Sequence, residues 1–307
     1  MSTSLVGYTG FVGSNLAKSY FFDNLFNSVN IEKSFGSKPE LLVYSGVPAE
    51  KYLANRKPEE DYNIIKNAIE NIKKIAAKRV VLISTIDVYK NPADVDEDTP
   101  IDTVGLHPYG LNRYYLEKWV FENIDDCLIV RLPGLYGDNI RKNFIFDLIN
   151  IIPSMLSDEK YIELSRKSRL ISENYLKQPN GFYKCVDLDS KKRKELKECF
   201  NSIGFSAINF TDSRASYQFY NLKYLWAHIE IALQNNINKL NLATQPVKIS
   251  ELYKYIKAEE FRNEFSEFIP NYNFRTRYSY LFNGKAGYIF DKAFIMKDIK
   301  DFVDKMV

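Results

Sequence analysis

The stretch HPYGLNRYYLEKW, residues 107–119, twice places a cation four residues after a tyrosine, as Tyr109 with Arg113 and as Tyr114 with Lys118. Residues four apart share one face of a helix, so each pair would hold a positive charge beside a phenol. Such a charge favours the phenolate and suits the hydroxyl to general acid-base catalysis. The spacing therefore predicts an acid-base tyrosine here, and spacing alone leaves both pairs open.

A glycine-rich loop offers a second kind of chemistry near the start of the chain. GYTGFVG carries Gly7, Gly10 and Gly13 between a short apolar run and a helical pattern. Glycines there permit a tight turn and close backbone approach, and the following helix N-terminus presents amide donors to a pyrophosphate. We therefore predict that this loop binds a dinucleotide, with Phe11 and Val12 among the contacts.

The adenosine ribose usually binds an acidic residue about 20 positions beyond such glycines. Here the predicted second strand reads NSVNIEKS, which offers Asn30 as the first candidate and Glu32 as the next. Because Lys33 lies close by and would accommodate a 2′-phosphate, both NAD and NADP remain open as the cofactor.

The elements that must position these residues alternate along the first half of the chain. Short apolar runs such as ELLVYSG, RVVLIST and CLIVRLPG are separated by helical patterns such as EEDYNIIKNAIENIKKIAAK. Strands that are apolar throughout predict a parallel sheet covered on both faces, with ligands at the carboxyl ends of its strands. The predicted fold is thus an α/β, doubly wound parallel sheet of the Rossmann type.

The rhythm changes after about residue 140, which predicts two regions. Residues 1–140 are expected to form the dinucleotide-binding Rossmann domain. Residues 141–307 are expected to form a smaller, mostly helical substrate-binding lobe, with some elements returning to the sheet domain. Within it, residues 155–215 read as irregular and helix-biased.

Bulk composition excludes several classes of function. The 307 residues are 45% hydrophobic, and 42 basic and 39 acidic residues leave a formal charge of +3, which favours neither nucleic acid nor membrane as partner. Three scattered cysteines and two histidines predict neither a metal site nor a disulfide framework. Because the start lacks a secretion signal and 18 apolar residues never run together, we expect a soluble, cytoplasmic protein.

Several segments, taken in order, resemble the extended short-chain dehydrogenase/reductases, the group of nucleotide-sugar epimerases, dehydratases and reductases. They are the glycine loop, ISTIDVY, PYGLNRYYLE and RLPGLYG, and LNLATQPVKISELYKYI is more weakly similar to a late strand-helix element of that family. The resemblance covers most of residues 1–140. It implies a Rossmann fold, NAD or NADP as cofactor and a nucleotide-activated sugar as substrate.

The resemblance also implies roles for single residues. The catalytic Ser or Thr of the family falls on Thr85, four residues before Tyr89, and its catalytic tyrosine falls on Tyr109, which the expected glycine follows. This frame favours Tyr109 over Tyr114. Arg113 stands where the family usually has lysine; it keeps the positive charge but differs in reach and hydration.

Residues beside Thr85 bear on the type of reaction. Ile86 cannot donate a proton, which disfavours the dehydration carried out by other members of this family. Asp87 stands where GDP-fucose synthase-like epimerase/reductases have an acid-base cysteine, but Asn139 replaces their partner histidine. Asp87 is therefore a catalytic candidate, with a turn or capping carboxylate as the alternative.

Further contacts are expected at the strand ends. Ser45, after the third strand, and Pro133, after the fifth, are expected on the cofactor side, with Gly134 next to Pro133. The family often has asparagine near the place of Gly134 for substrate contact, and Asn143 is the candidate that replaces it.

Two functions are compatible with these patterns. The first is an NAD(P)-dependent enzyme that reduces a 4-keto group or epimerises C4 of a nucleotide-activated sugar by hydride transfer, with Tyr109 as acid or base. The second is a catalytically inactive dinucleotide-binding sensor or scaffold, which Arg113 and Gly134 favour. Similar proteins often dimerise through the helix of the catalytic tyrosine, and the apolar Leu116, Trp119 and Val120 would allow a homodimer.

Overall fold

A computed structural model describes residues 2–306 of the chain. The strands are β1 (Thr3–Val6), β2 (Asn24–Phe26), β3 (Leu41–Tyr44), β4 (Arg79–Thr85), β5 (Cys127–Leu132), β6 (Gly134–Tyr136), β7 (Met155–Leu156), β8 (Tyr175–Lys177), β9 (Tyr183–Cys185), β10 (Ser216–Tyr217), β11 (Phe219–Asn221), β12 (Lys239–Asn241) and β13 (Val247–Lys248). The helices are α1 (Phe11–Ser19), α2 (Lys51–Arg56), α3 (Pro58–Ile75), α4 (Pro108–Asn123), α5 (Phe144–Ile149), α6 (Asp158–Ser165), α7 (Arg169–Asn174), α8 (Ser190–Ile203), α9 (Leu225–Gln234), α10 (Ile249–Lys257) and α11 (Lys292–Met306). Short 3-10 helices include Ile31–Ser34 and Ile86–Val88.

Six parallel strands form the central sheet in the order β12-β5-β4-β3-β1-β2. The chain runs outward from β1 in both directions, so the strand order reverses between β1 and β3. Crevices at such a reversal, outside the carboxyl ends of the strands, are where sheets of this kind bind ligands. The predicted doubly wound parallel sheet is confirmed.

The two faces of the sheet bury separate cores, which explains why its strands are apolar at every position. Leu5 and Val43 point into a core with α1 and α9, whereas Val6 and Leu42 point into a core with α3 and α4. Helix α3 contributes a stripe of buried residues spaced three or four apart, and each buried isoleucine in it stabilises the fold by about 1.5–3 kcal/mol. The stripe consists of Asp61, Ile65, Ala68, Ile72 and Ile75.

A buried polar network fixes α4 against the sheet. The Arg131 guanidinium on β5 lies 2.7 Å from a Glu117 carboxylate oxygen on α4, and Ser84 on β4 donates to the same carboxylate. Arg131 also donates to the Tyr89 hydroxyl at 2.7 Å. Removing one partner of such a pair costs about 3–5 kcal/mol, so the network holds the middle of α4, at Glu117, in a defined position.

The apolar residues of α4 that were expected to allow a homodimer pack against the core of their own chain. Leu116 and Val120 are buried in the core between α3, α4 and the sheet, and Trp119 packs partly against the same core. Their apolar character is explained by intramolecular packing, because the apolar stripe of a surface helix faces its own domain. The homodimer stays a prediction without support from these residues.

The chain divides into two compact units. The first contains the residues up to Ile140 together with Ser216–Lys248 and Pro270–Asp298. Within it, β6 pairs with β11 in parallel and β10 pairs with β13 in antiparallel fashion, beside the central sheet.

The second unit contains Arg141–Ala215, Ile249–Ile269 and the residues from Ile299 onward. Helices α6, α7 and α8 surround a core that includes Leu164, Ile171 and Phe200. A three-stranded antiparallel sheet, β7-β9-β8, also belongs to this unit and was not predicted, because strands of two or three residues show no alternation. The Asn180-Gly181 pair between β8 and β9 was the available hairpin signal.

Among residues 2–306, no helix is both long and apolar enough to cross a membrane.

Candidate active site

The glycine loop connects β1 to α1 through close backbone contacts. Gly7 has a φ of 91°, and a Cβ added there would lie 2.5 Å from the Ser45 carbonyl oxygen. A Cβ on Gly13 would lie 2.1 Å from the Gly7 carbonyl oxygen, so α1 can only approach β1 this closely with glycine. Gly10 is the N-cap residue of α1 and has no side chain that could bind the first amides of the helix. The first amides of the helix, which have no partners within it, can therefore receive a phosphate.

The loop therefore fits the predicted dinucleotide, and two further predicted contacts adjoin it. Phe11 and Val12 are the first residues of α1. Ser45 follows β3, next to β1, and its amide and hydroxyl both donate to the Val6 carbonyl oxygen, at 2.9 and 2.8 Å. These contacts hold the end of β3 against the loop at the point where the strand order reverses.

The second strand lies earlier than its predicted position. β2 is Asn24–Phe26, and Ile31–Ser34 is a 3-10 helix. Asn30 therefore lies four residues beyond the strand, where its carboxamide accepts from the Asn27 amide at 2.7 Å and donates to the Leu25 carbonyl oxygen at 3.2 Å. The residue at the carboxyl end of β2 is Asn27. The edge position of this three-residue strand explains the error, since Asn24 and Leu25 are exposed and only Phe26 is buried, which leaves no apolar run to recognise.

Thr85 and Asp87 lie where β4 ends. The Thr85 hydroxyl accepts the Asp87 amide at 3.2 Å and so caps the 3-10 helix Ile86–Val88. A Cβ on Gly110 would lie 2.1 Å from the Asp87 carbonyl oxygen, so glycine lets the first turn of α4 pack directly on this turn. The two motifs ISTIDVY and PYGLNRYYLE are thereby brought together around Tyr109.

Tyr109 is 7% exposed, and its surroundings favour the protonated phenol. Burial is the main cause that raises the pKa of Tyr109, and the carboxylates of Asp87 and Asp61 raise it further. Arg113 and the Thr85 hydroxyl act in the opposite direction without reversing the shift. Arg113 therefore does not lower the pKa of the Tyr109 phenol below its ordinary value, contrary to the effect expected from the spacing of the pair.

Arg113 is bound on two sides. Its guanidinium forms a buried ion pair with Asp61 of α3 and donates to the Pro48 carbonyl oxygen at 2.6 Å. Its Cζ lies 4.0 Å from the centroid of the Tyr109 ring, and Asn112 donates to the same Asp61 oxygen at 2.8 Å. Arg113 thus stacks on the ring while Asp61 offsets its charge. Asp61 was not predicted as a site residue, although a carboxylate within the apolar stripe of α3 was the available signal.

Asp87 has two partners that were also missed. Its Oδ1 lies 3.0 Å from the Lys51 Nζ of α2 and accepts the Tyr272 hydroxyl at 2.9 Å. The predicted turn role of Asp87 uses only its backbone, so the carboxylate faces Lys51 and Tyr272. His107 next to the site caps α4 by accepting the Gly110 amide at 3.0 Å, and burial lowers the pKa of His107.

The second tyrosine pair lies in different surroundings. Tyr114 packs against a small core that includes Val88 and Phe274. Lys118 is 57% exposed and lies 3.7 Å from Glu122 on the helix surface. The structure therefore places Tyr109 beside the Thr85 hydroxyl and the Asp87 carboxylate, whereas Tyr114 packs against apolar residues of the same turn.

The remaining predicted contacts are divided between the two units. Pro133 follows β5 at the same edge of the sheet, and Gly134 begins β6, where its amide donates to the Gln218 carbonyl oxygen at 3.0 Å. Asn143 belongs to the second unit and caps α5, accepting from the Ile145 and Phe146 amides at 3.0 and 3.2 Å.

The order and parallel direction of the six strands define a Rossmann fold. No protein-family model matches the chain, and no curated protein matches it in sequence. Solved structures match it over nearly its whole length, and those described below include a dTDP-4-dehydrorhamnose reductase and a UDP-galactose 4-epimerase. The predicted resemblance to the extended short-chain dehydrogenase/reductases is confirmed at the level of the fold.

Three solved structures illustrate the match. The dTDP-4-dehydrorhamnose reductase of Bacillus anthracis, in complex with NADP, is 14% identical with a TM-score of 0.62 and 99% of each chain covered. The enzyme WbmG of Bordetella bronchiseptica, in complex with NAD and UDP, is 15% identical with a TM-score of 0.63, covering 99% of this chain and 94% of that one. A UDP-galactose 4-epimerase is 13% identical with a TM-score of 0.59 and full coverage of both chains.

Proposed function

We propose that the chain is an NAD(P)-dependent reductase of a keto group on a nucleotide-activated sugar, with Tyr109 as the proton donor. The observation that carries this proposal is the buried Tyr109 phenol, whose pKa is raised, beside Thr85 at the carboxyl end of β4. A phenol that keeps its proton is suited to give it to a carbonyl oxygen, whereas oxidation of an alcohol needs the phenolate. Reduction is therefore proposed ahead of C4 epimerisation, which needs both directions.

The residues at the sheet edge would hold the cofactor. Nicotinamide dinucleotide would supply the hydride for the reduction. The amides at the start of α1 would bind its pyrophosphate, and Asn27, the residue after β2, would offer a polar side chain to the adenosine ribose. Ser45 and Pro133, after β3 and β5, would border the same crevice.

Each protein group at the reacting carbonyl has a separate task. Tyr109 gives its hydroxyl proton to the carbonyl oxygen, and the Thr85 hydroxyl donates a hydrogen bond to the same oxygen. Arg113 holds the Tyr109 ring by stacking on its face, and Asp61 fixes the guanidinium. Two of the matched structures are dTDP-4-dehydrorhamnose reductases, and we propose a 4-keto sugar nucleotide of this kind as the substrate. Residues 141–307 would form most of the lobe that binds this substrate.

The test uses the purified chain with NADPH or NADH and dTDP-4-dehydrorhamnose, followed by UDP-linked 4-keto sugars. Reduction should oxidise the nicotinamide, and Tyr109→Phe should lower turnover by about 100-fold or more while dinucleotide binding persists. Tyr114→Phe on the same helix is the matched control and should stay active. Undiminished turnover in Tyr109→Phe would refute the assignment, and loss only in Tyr114→Phe would transfer it to the other pair.

A second candidate is a dinucleotide-binding sensor or scaffold without catalysis. The buried ion pair between Arg113 and Asp61 favours it, because this pair withholds from Tyr109 the full charge of a free cation. This candidate predicts NAD(P) binding, measured by calorimetry, with no oxidation of NADPH or NADH by any keto-sugar nucleotide. One active substrate would eliminate it.

A further inference from the structure

The turn after β2 presents hydrogen-bond donors beside the glycine loop. The Gly7 amide donates to the Phe26 carbonyl oxygen at 2.7 Å, so Asn27, the next residue, adjoins that loop. At this place in a Rossmann fold, a carboxylate binds the ribose 2′-hydroxyl of NAD, whereas a nearby cation accommodates the 2′-phosphate of NADP. The contacts of Asn27 therefore bear on which dinucleotide the chain binds.

A single hydrogen bond fixes the orientation of the Asn27 carboxamide. Its Oδ1 accepts the Val29 amide at 2.9 Å, and because a backbone amide only donates, the other terminal atom is the NH2 nitrogen. That Nδ2 has no hydrogen-bond partner among residues 2–306. Asn27 thus offers two N–H donors with its only acceptor already occupied. Such a group suits a phosphate better than ribose hydroxyls that need an acceptor.

A lysine is attached to the same turn. Asn30 accepts the Asn27 amide with its Oδ1 at 2.7 Å and the Lys33 amide with its carbonyl oxygen at 3.1 Å, so one residue joins the two. The Lys33 side chain is exposed and forms no ion pair within the described part of the chain. Its ammonium is therefore available to an anion that approaches from solvent.

Glu32 is the carboxylate that could bind the ribose instead. It belongs to the 3-10 helix Ile31–Ser34, and its exposed side chain accepts no hydrogen bond from the other described residues. Hydrogen bonds to both its amide and its Oδ1 hold Asn27 at the end of β2, and no contact of this kind holds the Glu32 carboxylate there. The turn therefore favours a phosphate over the ribose hydroxyls.

We infer that the chain selects NADP(H) over NAD(H), with the Asn27 carboxamide and the Lys33 ammonium binding the 2′-phosphate. The inference rests on the proposed function and decides between the two cofactors that the fold leaves open. A hydrogen bond to a charged group changes affinity by about tenfold or more, so NADPH should bind at least about tenfold more tightly than NADH. Added salt should weaken NADPH binding more than NADH binding, because exposed charges are screened.

The first test measures binding and needs no sugar substrate. NADPH and NADH are titrated into wild type and three variants, with nicotinamide fluorescence as the readout. Asn27→Asp supplies a carboxylate, so it should lose about tenfold or more in NADPH affinity and bind NADH more tightly than wild type does. Lys33→Met should lose about tenfold for NADPH with NADH unchanged. Lys38→Met is the control and should bind both like wild type, because Lys38 is exposed in the same connection but precedes the amino end of β3.

The second test isolates the ribose end of the cofactor. Adenosine 2′,5′-bisphosphate should displace NADPH from wild type at least about tenfold more effectively than ADP does, and Asn27→Asp should remove this difference. Equal affinity of wild type for NADPH and NADH, or an unchanged ratio of the two in Asn27→Asp, would overturn the inference. Tighter binding of NADH that is lost in Glu32→Gln would overturn it in favour of Glu32 as the ribose contact.

The same titrations separate this inference from the proposed function. If wild type binds NADH preferentially and reduces a keto-sugar nucleotide with it, the selectivity is refuted and the proposed function stands. If wild type binds NADPH selectively but reduces no keto-sugar nucleotide, the proposed function is refuted and the selectivity stands. Binding of neither dinucleotide would refute both.

Discussion

At the scale of single residues, the chemistry of the site depends on which charges surround one phenol. Tyr109 is buried, and two carboxylates, Asp87 and Asp61, raise its pKa, while Arg113 lowers it. Asp61 both binds Arg113 and opposes its effect on the phenol. The substitution of lysine by arginine is thus accompanied by a carboxylate that changes the electrostatic outcome.

Replacing Asp61 with asparagine should move the alkaline limit of the reaction to lower pH. Without the Asp61 charge, only burial and Asp87 oppose the effect of Arg113, so the pKa of Tyr109 falls from its raised value. Because Tyr109 acts as an acid, activity is present below its pKa and is lost as the pH rises through it. Initial rates of reduction across the alkaline range measure this limit.

Glu60→Gln is the control for this prediction. Glu60 is the preceding residue and forms an exposed pair with Lys57, so the alkaline limit should stay at the wild-type pH. Asp61→Asn should also lose about 3 kcal/mol of stability, because it removes one charge of a buried pair, and rates are compared well below the melting temperature. An identical alkaline limit in Asp61→Asn and wild type would show that Asp61 does not act on Tyr109.

At the scale of elements, the β1–α1 connection separates two tasks of glycine. Gly13 allows α1 to lie against the backbone of Gly7, where a Cβ would be 2.1 Å from the carbonyl oxygen. Gly10 leaves more room within the protein, since the nearest atom to its Cβ would be 3.3 Å away. One glycine therefore serves the packing of the helix, and the other keeps the approach of a ligand to the helix open.

Alanine at these two positions should give different results. Gly10→Ala should keep a melting temperature within a few degrees of wild type but weaken dinucleotide binding by about tenfold or more, because its methyl group lies where the phosphates approach. Gly13→Ala should lower both the melting temperature and the affinity, because the helix must shift. Scanning calorimetry and a fluorescence titration with NADPH measure the two effects. If Gly10→Ala and wild type bound NADPH with equal affinity, the pyrophosphate would not bind at this loop.

At the scale of the molecule, the stability of the first unit is coupled to pH through a buried histidine. His228 on α9 lies 2.7 Å from the Tyr220 hydroxyl, with the Phe282 ring centroid 4.9 Å away, and burial lowers its pKa to about 4. A histidine with a depressed pKa stabilises the fold while it is neutral. That stabilisation is complete above the unfolded pKa near 6.5 and is lost as the pH falls toward about 4.

The unfolding free energy of the first unit should therefore fall by roughly 3 kcal/mol across this range from His228 alone. Hydrogen exchange of the α9 amides between neutral and mildly acidic pH measures the change. His228→Gln should remove most of this pH dependence. If His228→Gln kept the wild-type dependence of the unfolding free energy on pH, that dependence would come from other groups.

Much of the fold could be read from contiguous residues. The alternation of apolar runs with helical patterns determined the parallel sheet, because strands covered on both faces must be apolar at every position. The edge strand β2 and the short strands of the second unit escaped that reasoning. Each of these strands buries at most one of its two or three residues, so no pattern of apolar residues appears.

By itself, the sequence determined the glycine loop, the ends of β4 and β5, and the frame that singles out Tyr109, because each depends on neighbours within a few residues. Only the tertiary structure decided what surrounds Tyr109. Asp61 lies 52 residues from Arg113, Lys51 36 residues from Asp87 and Tyr272 185 residues from Asp87. Side chains so distant in the chain come within hydrogen-bond distance of Arg113 and Asp87, the charged neighbours of this phenol, only when the sheet edge and the first turn of α4 are brought together, so no local spacing predicts them.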